Sequence, residues 1–250
     1  MAKKRVLNKS KILDTSLITP NLRRLTVDIS TFSHIDLKDR GGYIKLSVLD
    51  ENQSEVMRSI SVSTVDIEAQ TLTLDFVNHG GSGPAAKFAR SAKSGDEISF
   101  YGPGPRRDIN QELDEFILVG DMTAFPALKV QLELMLENNI DKKAHIVLEA
   151  KSGEDFNYFQ DLLGVENFNF TLIEGNFTAK YLLTKFKEID ISSDKSLSLW
   201  CAGERLAINE IRQYLKEHSE LDFSEKYTSS YWQCGLTQNE HSQMKKTDVI

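Results

Sequence analysis

Glycine, serine and a single histidine are concentrated between residues 78 and 86, in the stretch NHGGSGPAA. A strand pattern (72–77) precedes this loop, and a short helical pattern (85–92) follows it. Such a loop leaves main-chain N–H groups without partners and directs them, with the helix dipole, at one point. The sequence therefore predicts an anion site, with a phosphate or pyrophosphate as the natural occupant. His79 is a candidate for contacting a bound ring, and a structural hydrogen-bonding role is its ordinary alternative.

A second candidate group lies on the strand-like segment MRSISVST, residues 57–64. In a regular strand, Arg58 and Ile60 face one way, and Ser59 and Ser61 face the other. An arginine fork suits a phosphate, and a serine hydroxyl or main-chain group suits a heteroatom of an aromatic cofactor. Taken alone, this pattern is a weak indication.

The second half of the chain has two strand ends with helices behind them. The strand pattern 116–119 leads into GDMTAFPA (120–127), where Thr123 is placed to cap a helix opened by Pro126. This turn is a candidate for the phosphates or the nicotinamide end of a dinucleotide, and an ordinary strand–helix turn explains it equally well. It lacks the G-x-G-x-x-G fingerprint. The strand pattern 197–201 ends in Ala-Gly-Glu (202–204) and is expected to line the same cleft.

Two kinds of periodicity position these motifs. Up to residue 105, closely spaced strands with one short helix predict an antiparallel barrel or sandwich, whose last hairpin is the stretch 72–101. Beyond it, strands alternate with predicted helices at 125–137, 156–163, 179–187 and 205–218, which favours a parallel sheet with helices on both faces. The Gly-Pro-rich segment 102–108 is the predicted linker. The predicted domains are therefore residues 1–108 and residues 109–250, the second with a C-terminal extension.

Charge and composition limit the function classes. Residues 1–112 contain 16 Lys and Arg against 14 Asp and Glu, whereas residues 113–250 contain 14 against 23. The first half therefore accommodates an anionic ligand more easily, although two ordinary solvated surfaces explain the difference as well. The net charge of −7 makes a nucleic-acid partner unexpected.

Neither membrane insertion nor secretion is expected. No apolar run approaches the roughly 18 residues of a membrane span, and the basic start of the chain lacks a signal-peptide pattern. Cys201 and Cys234 form neither a disulfide framework nor a metal set. Cys201 closes an apolar strand and is interpreted as a small buried hydrophobe. A reduced cytoplasmic protein is therefore predicted.

Four blocks of the sequence resemble the siderophore-interacting protein family, flavin-dependent ferric-siderophore reductases of the ferredoxin reductase superfamily. They are RSIS (58–61), DFVNHGGSGPAAKFA (75–89) with GDEISFYGPG (95–104), GDMTAFPAL (120–128), and AGE (202–204) with YWQCG (231–235). The resemblance implies an N-terminal antiparallel β-barrel that binds FAD. It also implies a parallel-sheet α/β domain that takes NADPH or NADH, or otherwise faces an electron donor such as ferredoxin.

The resemblance also implies the site. It puts the flavin phosphate near Arg58, the pyrophosphate at the turn 83–86, the nicotinamide side at 121–124 and an aromatic flavin neighbour at Trp232, although a core plug is the simpler interpretation of Tyr231-Trp232. The predicted cofactor-binding residues are Arg58, Ser59, Ile60, Ser61, Asn78, His79, Gly83, Pro84, Ala85, Ala86, Asp121, Thr123, Ala124, Glu204 and Trp232. The chain departs from the family pattern at Ile60, usually Tyr, at Ser63, usually Arg, and at Gln233, often Arg.

The function that follows from the resemblance is FAD-dependent reduction of a ferric siderophore, which releases Fe(II). FAD carries that chemistry, so neither a catalytic side chain nor a protein metal site is expected. Two alternatives remain open: a siderophore-binding protein with little reductase activity, and a general NAD(P)H:flavin reductase.

Overall fold

A computed structural model describes residues 6–78, 83–175, 177, 179–191, 195–221, 223–236, 240 and 244. The chain divides into two compact units, residues 1–107 and 108–250. His79 lies outside the described residues, as does most of the chain after residue 236. Within the described ranges, no helix has both the length and the apolar character needed to cross a membrane.

The first unit is a closed antiparallel barrel rather than a sandwich. Its strands are β1 (Asn8–Thr19), β2 (Leu22–Asp28), β3 (Tyr43–Leu49), β4 (Glu55–Asp66), β5 (Thr71–Val77) and β6 (Glu97–Gly104). They close in the order β1-β2-β5-β4-β3-β6. The period of two places alternate residues inside, as in β3, where Ile44, Leu46 and Val48 are buried in the barrel core.

The predicted hairpin over 72–101 is wrong. β5 pairs with β2 and β4, whereas β6 pairs with β1 and β3 and thereby closes the barrel. The connection between them includes helix α1 (Pro84–Ser91), which packs Ala89 against the barrel core. The predicted linker also begins too early. Gly104 still belongs to β6, because it pairs with Tyr43.

The second unit is built on a parallel sheet, as predicted. Its strands are β7 (Glu115–Asp121), β8 (Ala144–Ala150), β9 (Phe168–Glu174), β10 (Leu197–Glu204) and β11 (Glu225–Trp232), in the order β11-β10-β7-β8-β9. Every residue of β7, β8 and β10 is buried, as expected of strands covered on both faces. The sequence patterns did not predict β11, a polar edge strand. The chain order reverses between β7 and β10, the position where open α/β sheets bind ligands.

Helices cover both faces of this sheet. Helices α3 (Ala179–Lys187) and α4 (Arg205–Glu217) pack on the face that includes Val119 and the fully buried Cys201. Helix α2 (Phe125–Glu137) lies on the other face, where it closely approaches Gly120. The helix predicted at 156–163 is instead a 3₁₀-helix, Gly153–Phe159, because Ser152 and Asp155 form a capping box that starts it earlier.

Candidate functional site

The N-terminus of α1 has the features predicted for an anion site. Gly83 is its N-cap and Pro84 its first residue, and no described side chain caps it. A Cβ added at Gly83 would meet no atom of the described residues within 4 Å. Among the described side chains, none accepts from the first-turn N–H groups of Ala85 and Ala86, which are placed to donate to an anion.

Arg58 is a buried cation that has no carboxylate partner among the described residues. It lies opposite Leu46 in the β3–β4 ladder, is 8% exposed, and donates from Nη1 to the main-chain oxygen of Met57 at 2.9 Å. No ion pair joins Arg58 to a carboxylate in the part of the chain that the structure describes. Burial lowers the pKa of its guanidinium, and the charge of Asp50 opposes that effect only in part. A buried guanidinium of this kind favours an anionic ligand.

An open strand edge lies beside Arg58. The pairing of β4 with β5 begins at Val62–Leu74, and no described strand pairs with residues 55–61 on that side. The N–H of Val62 donates toward β3, to Gly42 O at 2.9 Å. Because main-chain groups alternate in direction along a strand, those of Ser59 and Ser61 point to the open side. This stretch of β4 is therefore a candidate contact for a ligand.

The side chains of this segment divide as predicted. Ile60 packs against the barrel core on the same strand face as Arg58, and the Ser59 hydroxyl lies on the other face, 2.5 Å from Lys45 Nζ. Asn78 follows β5 and donates its N–H to Asn21 O at 2.7 Å. If the Val62–Leu74 register is continued, Arg58 is level with Asn78 across the opening.

The departure from the family pattern at Ser63 has a structural counterpart. Ser63 is 4% exposed and donates to Asp75 Oδ2 at 2.6 Å. Arg24, on β2, donates to both oxygens of Asp75 at 2.7 and 2.8 Å. A guanidinium is therefore present near position 63 but is neutralised by Asp75. At Gln233, the other position where the family often has arginine, a guanidinium is likewise nearby: Gln233 Oε1 accepts from Arg205 Nη1 at 3.2 Å.

In the second unit, three strands end in buried carboxylates, Asp121 on β7, Glu149 on β8 and Glu204 on β10, each between 1% and 3% exposed. Asp121 accepts four hydrogen bonds. Two come from Thr123 N and Oγ1, at 2.8 and 2.5 Å, and two from Glu204 N and Trp232 Nε1, at 2.7 and 2.8 Å. Burial raises the pKa of the Asp121 carboxyl, and these donors oppose that shift.

The predicted capping role of Thr123 is wrong. The N-cap of α2 is Ala124, without a side-chain cap, because the Thr123 hydroxyl donates to Asp121 instead. Ala124 is fully buried, so its side chain is closed to a ligand, whereas Thr123 keeps part of its surface exposed. Trp232 is also only partly buried, so the core-plug interpretation does not fit it.

Glu204 occupies the position that an anion would take at α4. Its Oε2 accepts from Leu206 N and Ala207 N at 2.6 and 3.2 Å, and its Oε1 accepts from Cys234 N at 3.2 Å. The N-terminus of α4 is thus capped by the protein's own carboxylate. Gly203 makes room for this arrangement, since a Cβ there would lie 2.6 Å from Asp121 Oδ2.

Sequence reasoning missed Glu149 and Phe177. Glu149 Oε1 accepts from Phe177 N at 2.7 Å, and Gly175 packs against the same oxygen. Burial, followed by the charges of Asp121 and Glu204, raises the pKa of Glu149 to about 7. A glutamate near the end of a mostly apolar strand was the signal that could have identified this position.

The raised pKa of Glu149 gives a prediction for stability. An acid whose pKa is raised in the folded state stabilises the fold below its unfolded pKa, here 4.5, and loses that contribution as the pH rises to about 7. The Glu149→Gln variant lacks the ionised form. Its free energy of unfolding, relative to that of wild type, should therefore rise by about 1–2 kcal/mol between pH 4.5 and pH 7. Urea unfolding across the window measures the difference, with exposed Glu174→Gln on β9 as the control. Parallel curves for wild type and Glu149→Gln would contradict the assignment.

Comparison with known proteins gives a consistent result. A family model described as siderophore-interacting FAD-binding domain matches residues 47–107, and one described as siderophore-interacting protein matches residues 113–235. Ferric vibriobactin reductase ViuB of Vibrio cholerae is 25% identical over 198 residues, 78% of this chain and 70% of the relative. Ferric acinetobactin reductase of Acinetobacter baumannii is 26% identical over 180 residues, 72% of this chain and 61% of the relative.

The fold agrees with these matches. The structure of a siderophore-interacting protein from Acinetobacter baumannii superposes with a TM-score of 0.82 at 20% identity and covers 97% of this chain and 96% of that one. At that level of identity the likeness concerns the fold. The two family models together span most of both units, and the chain belongs to the siderophore-interacting protein family.

Proposed function

We propose that this protein reduces ferric siderophores by means of bound FAD and releases the iron as Fe(II). The observation that carries the proposal is Arg58, a buried guanidinium without a described carboxylate partner beside an open strand edge. Its segment lies within the part of the chain that matches a siderophore-interacting FAD-binding domain. The relatives named ferric vibriobactin reductase and ferric acinetobactin reductase support the substrate class.

The residues of the barrel unit fit an FAD molecule. The guanidinium of Arg58 and the uncapped N-terminus of α1 suit its phosphates, because both offer N–H donors to an anion. The strand edge of β4 at residues 59–61, which pairs with no described strand on that side, suits the polar edge of its ring system. Ile60 offers an apolar contact in place of the usual tyrosine.

Bound FAD would supply the redox chemistry, by linking a two-electron donor to a one-electron acceptor. The protein's own part is to bind, orient and exclude water. Arg58 and the α1 N-terminus fix the phosphate end, and the open edge of β4 fixes the orientation of the ring. Asp121 and Glu204 accept hydrogen bonds within the fold, and their part is to hold the strand ends in place.

NADH or NADPH is the proposed electron donor. The parallel sheet has its switch point between β7 and β10, a feature that suits NADH or NADPH. Ferredoxin is the other donor considered. The acceptor is a ferric siderophore, whose hard oxygen ligands hold Fe(II) far more weakly than Fe(III), so that reduction releases the metal. The net charge of +2 on residues 1–112 is compatible with an anionic chelate.

Anaerobic mixing tests this function. The purified protein should show a bound-flavin spectrum that bleaches with NADH, NADPH or reduced ferredoxin and recovers when a ferric siderophore is added, while a chromogenic chelator captures Fe(II). Siderophore binding without recovery or Fe(II) would indicate a binding protein. Flavin that dissociates and turns over as a free substrate would indicate a general flavin reductase. If no donor produces Fe(II), the reductase proposal is wrong.

A further inference from the structure

Two aromatic rings meet at the carboxyl edge of the parallel sheet. Phe177 and Trp232 have centroids 5.8 Å apart and an interplanar angle of 82°, so they form a right-angled corner. Each is held by a buried carboxylate at a strand end. Phe177 N donates to Glu149 Oε1 at 2.7 Å, and Trp232 Nε1 donates to Asp121 Oδ2 at 2.8 Å. Both rings keep part of their surface exposed.

The backbone of Phe177 does not adopt this position by default. Its φ of +58° is in the left-handed region, which is unfavourable for a bulky residue and persists only where surrounding contacts hold it. Glu149 supplies such a contact through its hydrogen bond to Phe177 N. Gly175 lets the chain pass, because a Cβ there would collide with Glu149 Oε1. The position of Phe177 thus depends on Glu149.

The corner also lies where a ligand of this sheet is expected. Asp121 ends β7, and its Oδ2 accepts both from Trp232 and from the N–H of Glu204, which ends β10. These two strands border the switch point of the sheet. The rings are therefore at the sheet's ligand-binding edge and not on a remote surface.

Resting on the function proposed above, we propose that Glu149 is a positioning residue for the electron donor: it holds Phe177 against Trp232, and the corner between the two rings receives the planar nicotinamide ring of NADH or NADPH. Flat aromatic faces stack on a planar ring, and an aromatic face attracts the cationic oxidised form.

Negative charge at this edge of the sheet favours binding of the donor's nicotinamide ring over binding of its phosphates. Three carboxylates are buried here, and Glu204 already fills the N-terminus of α4, the usual place for a phosphate. A nicotinamide ring is uncharged when reduced and cationic when oxidised. It is therefore compatible with nearby carboxylates, whereas a pyrophosphate would be repelled.

Rapid anaerobic mixing of the FAD-loaded protein with NADH and NADPH tests the proposal. Phe177→Ala and Glu149→Ala should each raise the donor Kd roughly three- to tenfold, the equivalent of one lost aromatic contact. FAD content and bleaching by dithionite should not change. Glu149→Gln keeps an oxygen acceptor for Phe177 N and should restore the wild-type Kd. Glu174→Ala removes an exposed carboxylate from the end of β9 and is the matched control.

Tryptophan fluorescence gives a readout independent of turnover. The chain has two tryptophans, and Trp200 is 2% exposed, so quenching by added NAD⁺ should come from Trp232. The quenching midpoint should shift in Phe177→Ala and in Glu149→Ala but not in Glu149→Gln or Glu174→Ala. Equal midpoints in all variants would overturn the inference, as would a wild-type flavin that neither nucleotide reduces. In that last case, Fe(II) release by dithionite-reduced protein would leave the proposed function intact.

Discussion

Replacing Arg58 by alanine should leave the purified protein largely without FAD. The guanidinium is buried and donates only to Met57 O among the described residues, so its remaining donors are available to a flavin phosphate. Losing a charge-assisted hydrogen bond of this type costs about 1.5–3 kcal/mol, which corresponds to roughly 10- to 150-fold weaker FAD binding. Titration of apoprotein with FAD, followed by flavin fluorescence, measures the change.

Two further variants and one stability measurement test whether the loss of FAD is specific to the Arg58 guanidinium. Arg58→Lys keeps the charge but not the planar fork, and it should bind FAD with intermediate affinity. Arg23→Ala removes another barrel arginine, one that donates to Thr15 Oγ1 at 2.8 Å, and it should retain the flavin. Apo Arg58→Ala should unfold at nearly the wild-type urea concentration, because no described ion pair is lost. Wild-type FAD affinity in Arg58→Ala would show that the phosphate lies elsewhere.

Local hydrophobic periodicity was sufficient to predict much of the fold. The run AHIVLEA is mostly apolar and forms a strand of a parallel sheet, as the sequence predicted, and β8 is buried over its whole length. The helix α2 begins and ends where the apolar spacing and Pro126 predicted, because a proline is tolerated in the first turn. The short helix after Gly83 was likewise predicted, with its bounds one residue too late.

Non-local strand pairing explains the main errors in the fold predicted from the sequence. Nothing in the local pattern of β5 and β6 shows that they join different neighbours, because barrel closure is decided by β1 and β3. The strand β11 was missed because its sequence, EKYTSSYW, is polar and it occupies the sheet edge, paired only with β10 among the described strands. Thr123 was given the role of a cap because its alternative acceptor, Asp121, is two residues away and competes with the helix end.

Non-local contacts also explain why the sequence did not predict the whole candidate site. Glu149 and Phe177 are 28 residues apart, and their contact depends on how the segment after β9 returns across the end of β8. Asp121 and Trp232 are 111 residues apart and meet only because β11 joins the sheet. Residue types indicated that Asp121 and Trp232 belong to a site, but only the assembled sheet shows that one holds the other.

The second large effect is expected at Asp121. Replacing it by alanine should destabilise the second unit by about 3–5 kcal/mol, because the buried N–H of Glu204 and the partly buried indole N–H of Trp232 would lose their acceptor. Asp121→Asn retains one carbonyl oxygen but turns an amide donor toward other donors. It should therefore cost about 1–3 kcal/mol. Urea unfolding, followed by tryptophan fluorescence, measures both losses.

Asp114 is the matched control for Asp121. It also accepts two hydrogen bonds across neighbouring strands, from Ser196 N at 2.9 Å and Ser196 Oγ at 2.7 Å, but it is exposed. Water can replace those bonds, so Asp114→Ala should change stability much less than Asp121→Ala does. Hydrogen exchange should separate the two cases further, with faster exchange at the Glu204 amide in Asp121→Ala alone. Equal losses at the two positions would mean that burial does not set the strength of the Asp121 network, and that Trp232 is held in place by packing instead.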